Sequence, residues 1–481
     1  MHIASTSGST LNLQGTTAPL RMGLNVFLIP ACCVFLLLLC CSPGKAQSEF
    51  GQTASPETSS ADVGLLAEYL AEAAANNQEL QAAFNRWQAA LAEIPQASAL
   101  PDPRLTLNGY IQPVETRTGP QRAGIGVSQS FPWPGTLALK GDRAAQQAAV
   151  RKALLDDKKL DIFYALKQIY YEYAYVTQAV SITSEIVELV RYLEGVARAR
   201  YSAGASPHAD VIRTQVELGR LEDRLNSVRD LKNPIRARLN ALLNRPVDQH
   251  LPDPPRVPIM RLCLTKDELR NSLATSNPRL LALEFAAAGE QAGIELARKD
   301  FYPDLTFGLQ TIITGDARSP GVTNADENPV IASLSMNLPL WQKPREAALS
   351  EARSKLSAVR HDKASLEKRL GSDLEQALYQ YADAERKIDL YRQRLIPKAK
   401  QSLGVSLEAF QSGKASSLEL MDAEKTLLEL KLALLRSLAT QAQRLAEMET
   451  LVGYEIPCKI EEVPDKNLNL DVQALPNPDE N

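Results

Sequence analysis

The residues of this chain whose types and spacing could do chemistry are few, and they point to charge placement and a candidate disulfide rather than to catalysis. Glu419 and Asp422 stand three apart in a stretch with helical periodicity, which puts both carboxylates on one face. Such a pair creates a negative potential that attracts cations; the same spacing also fits two solvated acids on a surface helix. Cys263 and Cys458 could pair in an oxidising compartment. They could equally be two independent packed thiols, and their spacing does not decide between these. The four histidines and six methionines are scattered, with no metal-ligand spacing, so neither a metal nor a cofactor is expected. No phosphate-binding loop or Ser/His/Asp constellation is present, so no enzyme is expected. Charged residues make up 23% of the chain and the net charge is −4, which gives no footprint for nucleic acid.

The N-terminus bears on the compartment. Arg21 precedes an apolar run from Val26 to Cys41, and Gly44 and Ala46 form a small-x-small site, the pattern of a secretory signal peptide over 1–46. The apolar run is shorter than the roughly 20 residues a spanning helix needs. Lipidation at Cys40 or Cys41 is an alternative, for which Leu39 is a poor preceding residue. Residues 47–61 are rich in Ser, Thr and Gln and read as disordered.

The remaining chain is organised around residues 136–203, which hold no proline. Leu166, Ile169, Tyr173, Val176, Val180, Val187 and Val190 recur at heptad-like steps, a helix seam held against neighbouring helices. At about 1.5 Å per residue this helix is roughly 100 Å long, far beyond the need of a globular core. Before it, a helix over 62–94 is expected to stop at Pro95. A β-hairpin over 104–131 follows, its two strands alternating apolar residues (Leu105, Leu107, Ile125, Val127) with polar or small ones. After the long helix, the Gly204 and Pro207 turn leads to a helix over 208–243 and a proline-rich connector.

The pattern then repeats. Pro303, Leu305 and Thr306 match Pro103, Leu105 and Thr106, and the Tyr201 to Gly204 turn matches Phe410 to Gly413. The first repeat spans 62–258 and the second 259–452. The second comprises a helix over 266–299, a hairpin over 304–338, a long helix over 341–412 kinked at Pro397, and a helix over 416–452. A C-terminal tail over 453–481 follows. In each copy the two short helices together match the long one in length to within one residue, so stacked end to end they would flank it as a layered wall.

Four two-faced strands per chain cannot close a barrel, since the smallest membrane barrels use about eight, and open edges are not tolerated in lipid. Strands in a bilayer would have to be pooled between subunits, three chains giving twelve. Trp133 and Trp341 fall where strand turns to helix in each copy, as interfacial tryptophans would. Two tryptophans packed at helix starts, on half-buried soluble hairpins, are the other reading.

These features together resemble the TolC-like outer-membrane efflux protein family over nearly the whole sequence after residue 46. The likeness rests on the repeat, the run Pro-Asp-Pro-Arg-Leu at 101–105, the run Ser-Gln-Ser-Phe-Pro-Trp-Pro-Gly at 128–135, and the two aromatic-x-x-Gly turns. It implies a mainly α fold with a membrane β part: long antiparallel helices forming an α-barrel, and four amphipathic strands per chain in a trimeric twelve-stranded β-barrel. The implied setting is the outer membrane of a Gram-negative-type cell, with a large periplasmic part and outer-membrane lipid around the strands. The implied function is a passive duct of a tripartite efflux or type I secretion system, working with a periplasmic adaptor and an inner-membrane pump. The duct is gated at its periplasmic helix tips. By the resemblance Asp210 is an acidic latch residue beside Tyr201 and Gly204, and Phe410 stands at an aromatic latch position near Gly413. The basic latch position is occupied by Ala415, with Lys414 adjacent as a substitute. Glu419 and Asp422 match the acids that ring the pore. A periplasmic adaptor or helical scaffold is the alternative function; it would need a β-rich module on a single helical hairpin, whereas this chain has two hairpins and four similar strands.

Overall fold

The computed structural model describes residues 61–463 apart from 318, 320, 322 and 326. The expected signal peptide, the lipidation candidates Cys40 and Cys41, and most of the 47–61 and 453–481 segments lie outside the described residues. All described elements belong to one unit, residues 59–481.

The seam in the first long helix forms α3 (Thr136–Ser202). Leu166, Tyr173, Val176, Val187 and Val190 are buried at 0–3% exposure, while Ile169 and Val180 are half-buried against the same core. Each such burial contributes about 1.5–3 kcal/mol, so the helix is held along its length by packing rather than by intrinsic propensity. The expected helix over 62–94 is instead two helices, α1 (Ala61–Asn76) and α2 (Gln78–Ser98). Asn77 makes the break: it is extended, and its Oδ1 accepts the Glu79 and Leu80 amides at 3.0 and 3.2 Å. Pro95 does not stop α2: it lies in the last turn, and Gln96, Ala97 and Ser98 still follow it in the helix.

The helix over 208–243 forms α4 (His208–Leu242), which packs on α3. Asn77 also donates from Nδ2 to the Leu242 carbonyl at 3.0 Å, joining the start of α2 to the end of α4. The second copy repeats the joint. The expected helix over 266–299 is divided into α5 (Lys266–Ser276) and α6 (Pro278–Lys299). Asn277 caps α6 through the Arg279 and Leu280 amides and donates to the Leu451 carbonyl at 2.8 Å, at the end of α9 (Ser417–Val452). Each pair of half-length helices is thus stacked through one buried asparagine.

The second long helix is α7 (Gln342–Leu390), a π-turn segment (Tyr391–Leu395) and α8 (Ile396–Gln411). Pro397 lacks an amide and crowds the carbonyl four residues back, and the widened π segment absorbs that mismatch where a simple kink was expected. A short sheet, β3 (Ile259–Leu262) with β6 (Cys458–Glu461), pairs the start of the second repeat with the segment expected to be tail. Arg261 of β3 ties it to Glu385 and Asp389 of α7 at 2.8 and 3.0 Å.

The hairpins form one antiparallel sheet in the order β1 (Arg104–Val114), β2 (Gln121–Phe131), β4 (Leu305–Thr314), β5 (Val330–Met336). Its register places Leu107 opposite Ile125, Leu105 opposite Val127, Val127 opposite Leu309, and Phe307 opposite Leu334. One face is therefore continuous apolar surface, with Leu107 69% and Leu309 59% exposed. The other face carries Thr106, Asn108, Gly126, Ser128, Gly308 and Ser333, with Ser130 and Thr306 hydroxyls 2.8 Å apart. Among the described residues no strand lies beside the outer edges of β1 and β5.

Candidate gate at the helix tips

About 100 Å from the sheet, at the far end of α3, two turns of the same construction meet. Gly204 and Gly413 sit at φ 71° and 78°, the left-handed region that ends a helix cheaply only with glycine. The amides of Gly204 and Ala205 donate to the carbonyls of Tyr201 and Arg200; those of Gly413 and Lys414 donate to Phe410 and Ala409. Pro207 then starts α4 in extended conformation. Ser416 starts α9, its hydroxyl accepting the Glu419 amide at 3.4 Å.

Of the tip residues named from the sequence, Asp210 and Phe410 are buried between the two repeats, whereas Tyr201 and Lys414 are exposed. Asp210 is 8% exposed, and its Oδ1 accepts the hydroxyl of Ser417, itself 1% exposed, at 2.8 Å. Arg213 lies 3.8 Å from the same carboxylate. Phe410 is 2% exposed beneath Arg200, whose guanidinium stands 4.9 Å from the ring centroid and donates to the Phe410 carbonyl. Tyr201 is exposed, its ring 4.8 Å from His208. Lys414, expected to substitute as the latch cation, points into solvent; within the chain the cation on the second turn is Arg200. Arg200 and Ser417 escaped the sequence reading because their value lies in facing the other repeat. Arg200 lies one residue before the aromatic turn residue and Ser417 directly after the helix cap, which was the available signal.

Glu419 and Asp422 are both exposed, on the side of α9 away from buried Leu420, Glu424 and Leu427. The two tryptophans differ. Trp341 is 78% exposed beside exposed Leu338 and Leu340, while Trp133 is half-buried, stacked on Tyr302 at 4.8 Å. Trp133 is thus partly covered by Tyr302 at its helix start, whereas Trp341 is largely exposed. Cys263 and Cys458 are free thiols. Cys458 faces Leu262 across the ladder, so Cys263 is one step out of register, and it is exposed whereas Cys458 lines a cavity of about 340 Å³ with Lys167 and Glu449. Burial raises the Cys458 thiol above its ordinary range. Among the described residues no three His, Cys, Asp or Glu side chains converge as a metal site, and no helix is long and apolar enough to cross a membrane.

A mainly helical body with a two-faced antiparallel sheet at one end and paired helix turns at the other defines the class of outer-membrane channels. The chain belongs to the outer membrane efflux protein family, whose model matches residues 69–245 and 269–454. It is 22% identical over 396 residues to the cobalt-zinc-cadmium resistance protein CzcC of Cupriavidus metallidurans, covering 80% of this chain and 88% of that protein. Its fold is shared with the outer membrane protein VceC of Vibrio cholerae at a TM-score of 0.67 and 16% identity, covering 81% of this chain and 96% of that one. The Campylobacter jejuni outer membrane channel CmeC also has a TM-score of 0.67, at 14% identity, covering 89% and 95% of the two chains. The protein is an outer-membrane efflux channel with a large periplasmic helical part.

Proposed function

We propose that three copies of this chain form one passive duct, pooling twelve strands in the outer membrane and joining their long helices into a periplasmic tunnel. The observation that carries this reading is the sheet. One face is apolar and solvent-exposed, the other is polar, and among the described residues no strand pairs with the outer edges of β1 and β5. In lipid such edges are satisfied only by closure, which β1 of one copy and β5 of the next would provide. Trp341, Leu338 and Leu340 lie at the inner boundary of the bilayer. The duct is not an enzyme: it draws its energy from an inner-membrane pump reached through a periplasmic adaptor.

The helix tips form the gate, held shut in each chain by the contacts of Asp210 with Ser417 and Arg200 with Phe410. Three copies of Glu419 and Asp422 would ring the pore and favour cations. The likeness to a cobalt-zinc-cadmium resistance protein along most of the chain supports metal cations as cargo. The test is native mass and planar-bilayer conductance of the detergent-extracted protein. A conducting, cation-preferring trimer is expected, with the preference reduced in the double variant Glu419→Gln, Asp422→Asn. A soluble monomer without conductance overturns the reading, and unchanged selectivity in the double variant removes the ring.

A further inference from the structure

Glu424 and Lys431 lie seven residues apart on one face of α9 and are 1% and 0% exposed. Neither carboxyl oxygen of Glu424 nor the Nζ of Lys431 has a hydrogen-bond partner. A buried ionisable group left in this way is costly in its charged form, and the interior favours the neutral one. Glu424 sits in the seam between α9 and α4. Glu217 and Arg224 of α4 face it, with Lys425 of α9 alongside. The same seam is pinned nearer the turn by Asp210 of α4 and Ser417 of α9, one heptad before Glu217 and Glu424 on their respective helices. Lys431 faces Glu185 of α3 and Lys400 of α8.

Burial pushes the Glu424 carboxyl up to about 8; repulsion from Glu217 adds to this, and Arg224 and Lys425 oppose it. Burial pushes the Lys431 ammonium down to about 8, with Glu185 opposing and Lys400 adding.

We propose that Glu424 is a proton-linked lock on the α4–α9 seam, neutral while the seam is shut and ionised when it parts, so that the hairpins separate more readily as pH rises. A parted seam returns the carboxyl toward its ordinary value of 4.5, so between 4.5 and about 8 the shut state binds one proton more. The shut seam is therefore favoured by acid, and the advantage is lost as pH rises through about 8. One linked proton changes the opening equilibrium by up to about tenfold per pH unit. Lys431 acts in a separate window: parting would let it take up a proton between about 8 and 10.5, and it adds no slope between pH 6 and 7.

The lock rests on the gate reading only for its effect on conduction; the seam itself can be followed directly. Hydrogen exchange of α4 and α9 amides, corrected for intrinsic rates, is measured on the detergent-solubilised protein at pH 6 and 7. Opening about tenfold greater at pH 7 is expected in the wild type, a flat response in Glu424→Gln and in Glu424→Leu, and the wild-type slope in Lys431→Met. A flat wild type, or a slope that survives both Glu424 substitutions, overturns the lock. If the exchange slope is present while conductance does not follow pH, the lock stands and the gate reading fails.

Discussion

The two turns at the tip share a backbone and divide the side-chain work between them. Each has an aromatic residue, a left-handed glycine three positions later and the same pair of turn hydrogen bonds. Yet Tyr201 is 46% exposed where Phe410 is 2% exposed, and the copy that supplies Arg200 has Ala409 as its counterpart in the other. The first turn gives the cation and the buried carboxylate; the second gives the aromatic ring, the carbonyl and the hydroxyl that receive them. A duplicated hairpin that kept its turn and changed its contacts becomes half of a clasp. Neither copy could close on an identical partner in this way, because two first turns would oppose Arg200 to Arg200 and Asp210 to Asp210.

The largest expected effect separates the two aromatics. Phe410→Ala removes a buried ring and is expected to destabilise its hairpin by about 3–5 kcal/mol. Tyr201→Ala, at an exposed site, should cost under about 1 kcal/mol. Denaturant unfolding of the two variants checks this, and equal costs would show that the turns are equivalent. Asp210→Ala comes next. It leaves the buried Ser417 hydroxyl without its acceptor, at a cost of about 1–3 kcal/mol, and should raise conductance if that contact holds the tip shut. Unchanged conductance would leave the contact structural only. Gly413→Ala and Gly204→Ala each force an alanine into the left-handed region for roughly 1–2 kcal/mol. Around Gly204 the space is open, whereas a side chain at Gly413 meets the Arg200 guanidinium at 3.3 Å. The Gly413 variant should therefore open the channel more than the Gly204 variant does, as single-channel recording would reveal.

The long helices, the hairpins and the repeat were legible in the sequence because periodicity and duplication are properties of one strand of text. The seam residues from Leu166 to Val190 carry their burial in their spacing. The breaks at Asn77 and Asn277 were missed although they too repeat at an interval of 200 residues. An asparagine in a helical run reads as a mild weakness, and only the carbonyl it meets on another helix makes it a joint. The clasp at the tip was half legible for the same reason. Gly204, Gly413 and Asp210 announce themselves by type and position, but Arg200 and Ser417 acquire their partners from the other repeat, more than 200 residues away. Trp133 and Trp341 show the converse limit: similar places in the repeat gave unlike surroundings, because Tyr302 stacks on one and nothing comparable covers the other.

The smallest expected effect sharpens the comparison most. Lys414 lies in the second turn, beside the position where the family resemblance leads one to look for a basic latch residue. Its side chain points into solvent, whereas Arg200 reaches the Phe410 carbonyl from the first turn. If closure is an affair of one chain's two hairpins, Lys414→Ala should change stability by no more than about 0.5 kcal/mol and leave conductance as it was. If instead Lys414→Ala opens the channel as far as Asp210→Ala does, the cation must be closing on a carboxylate of a neighbouring copy. The clasp between Arg200 and the second turn would then only prepare each chain for a contact made in the trimer. Conductance of the two single variants and of the double variant, compared at low and high salt, separates these cases. A contact between copies at an exposed lysine would weaken as salt rises, while the buried Asp210–Ser417 bond would be nearly indifferent to it.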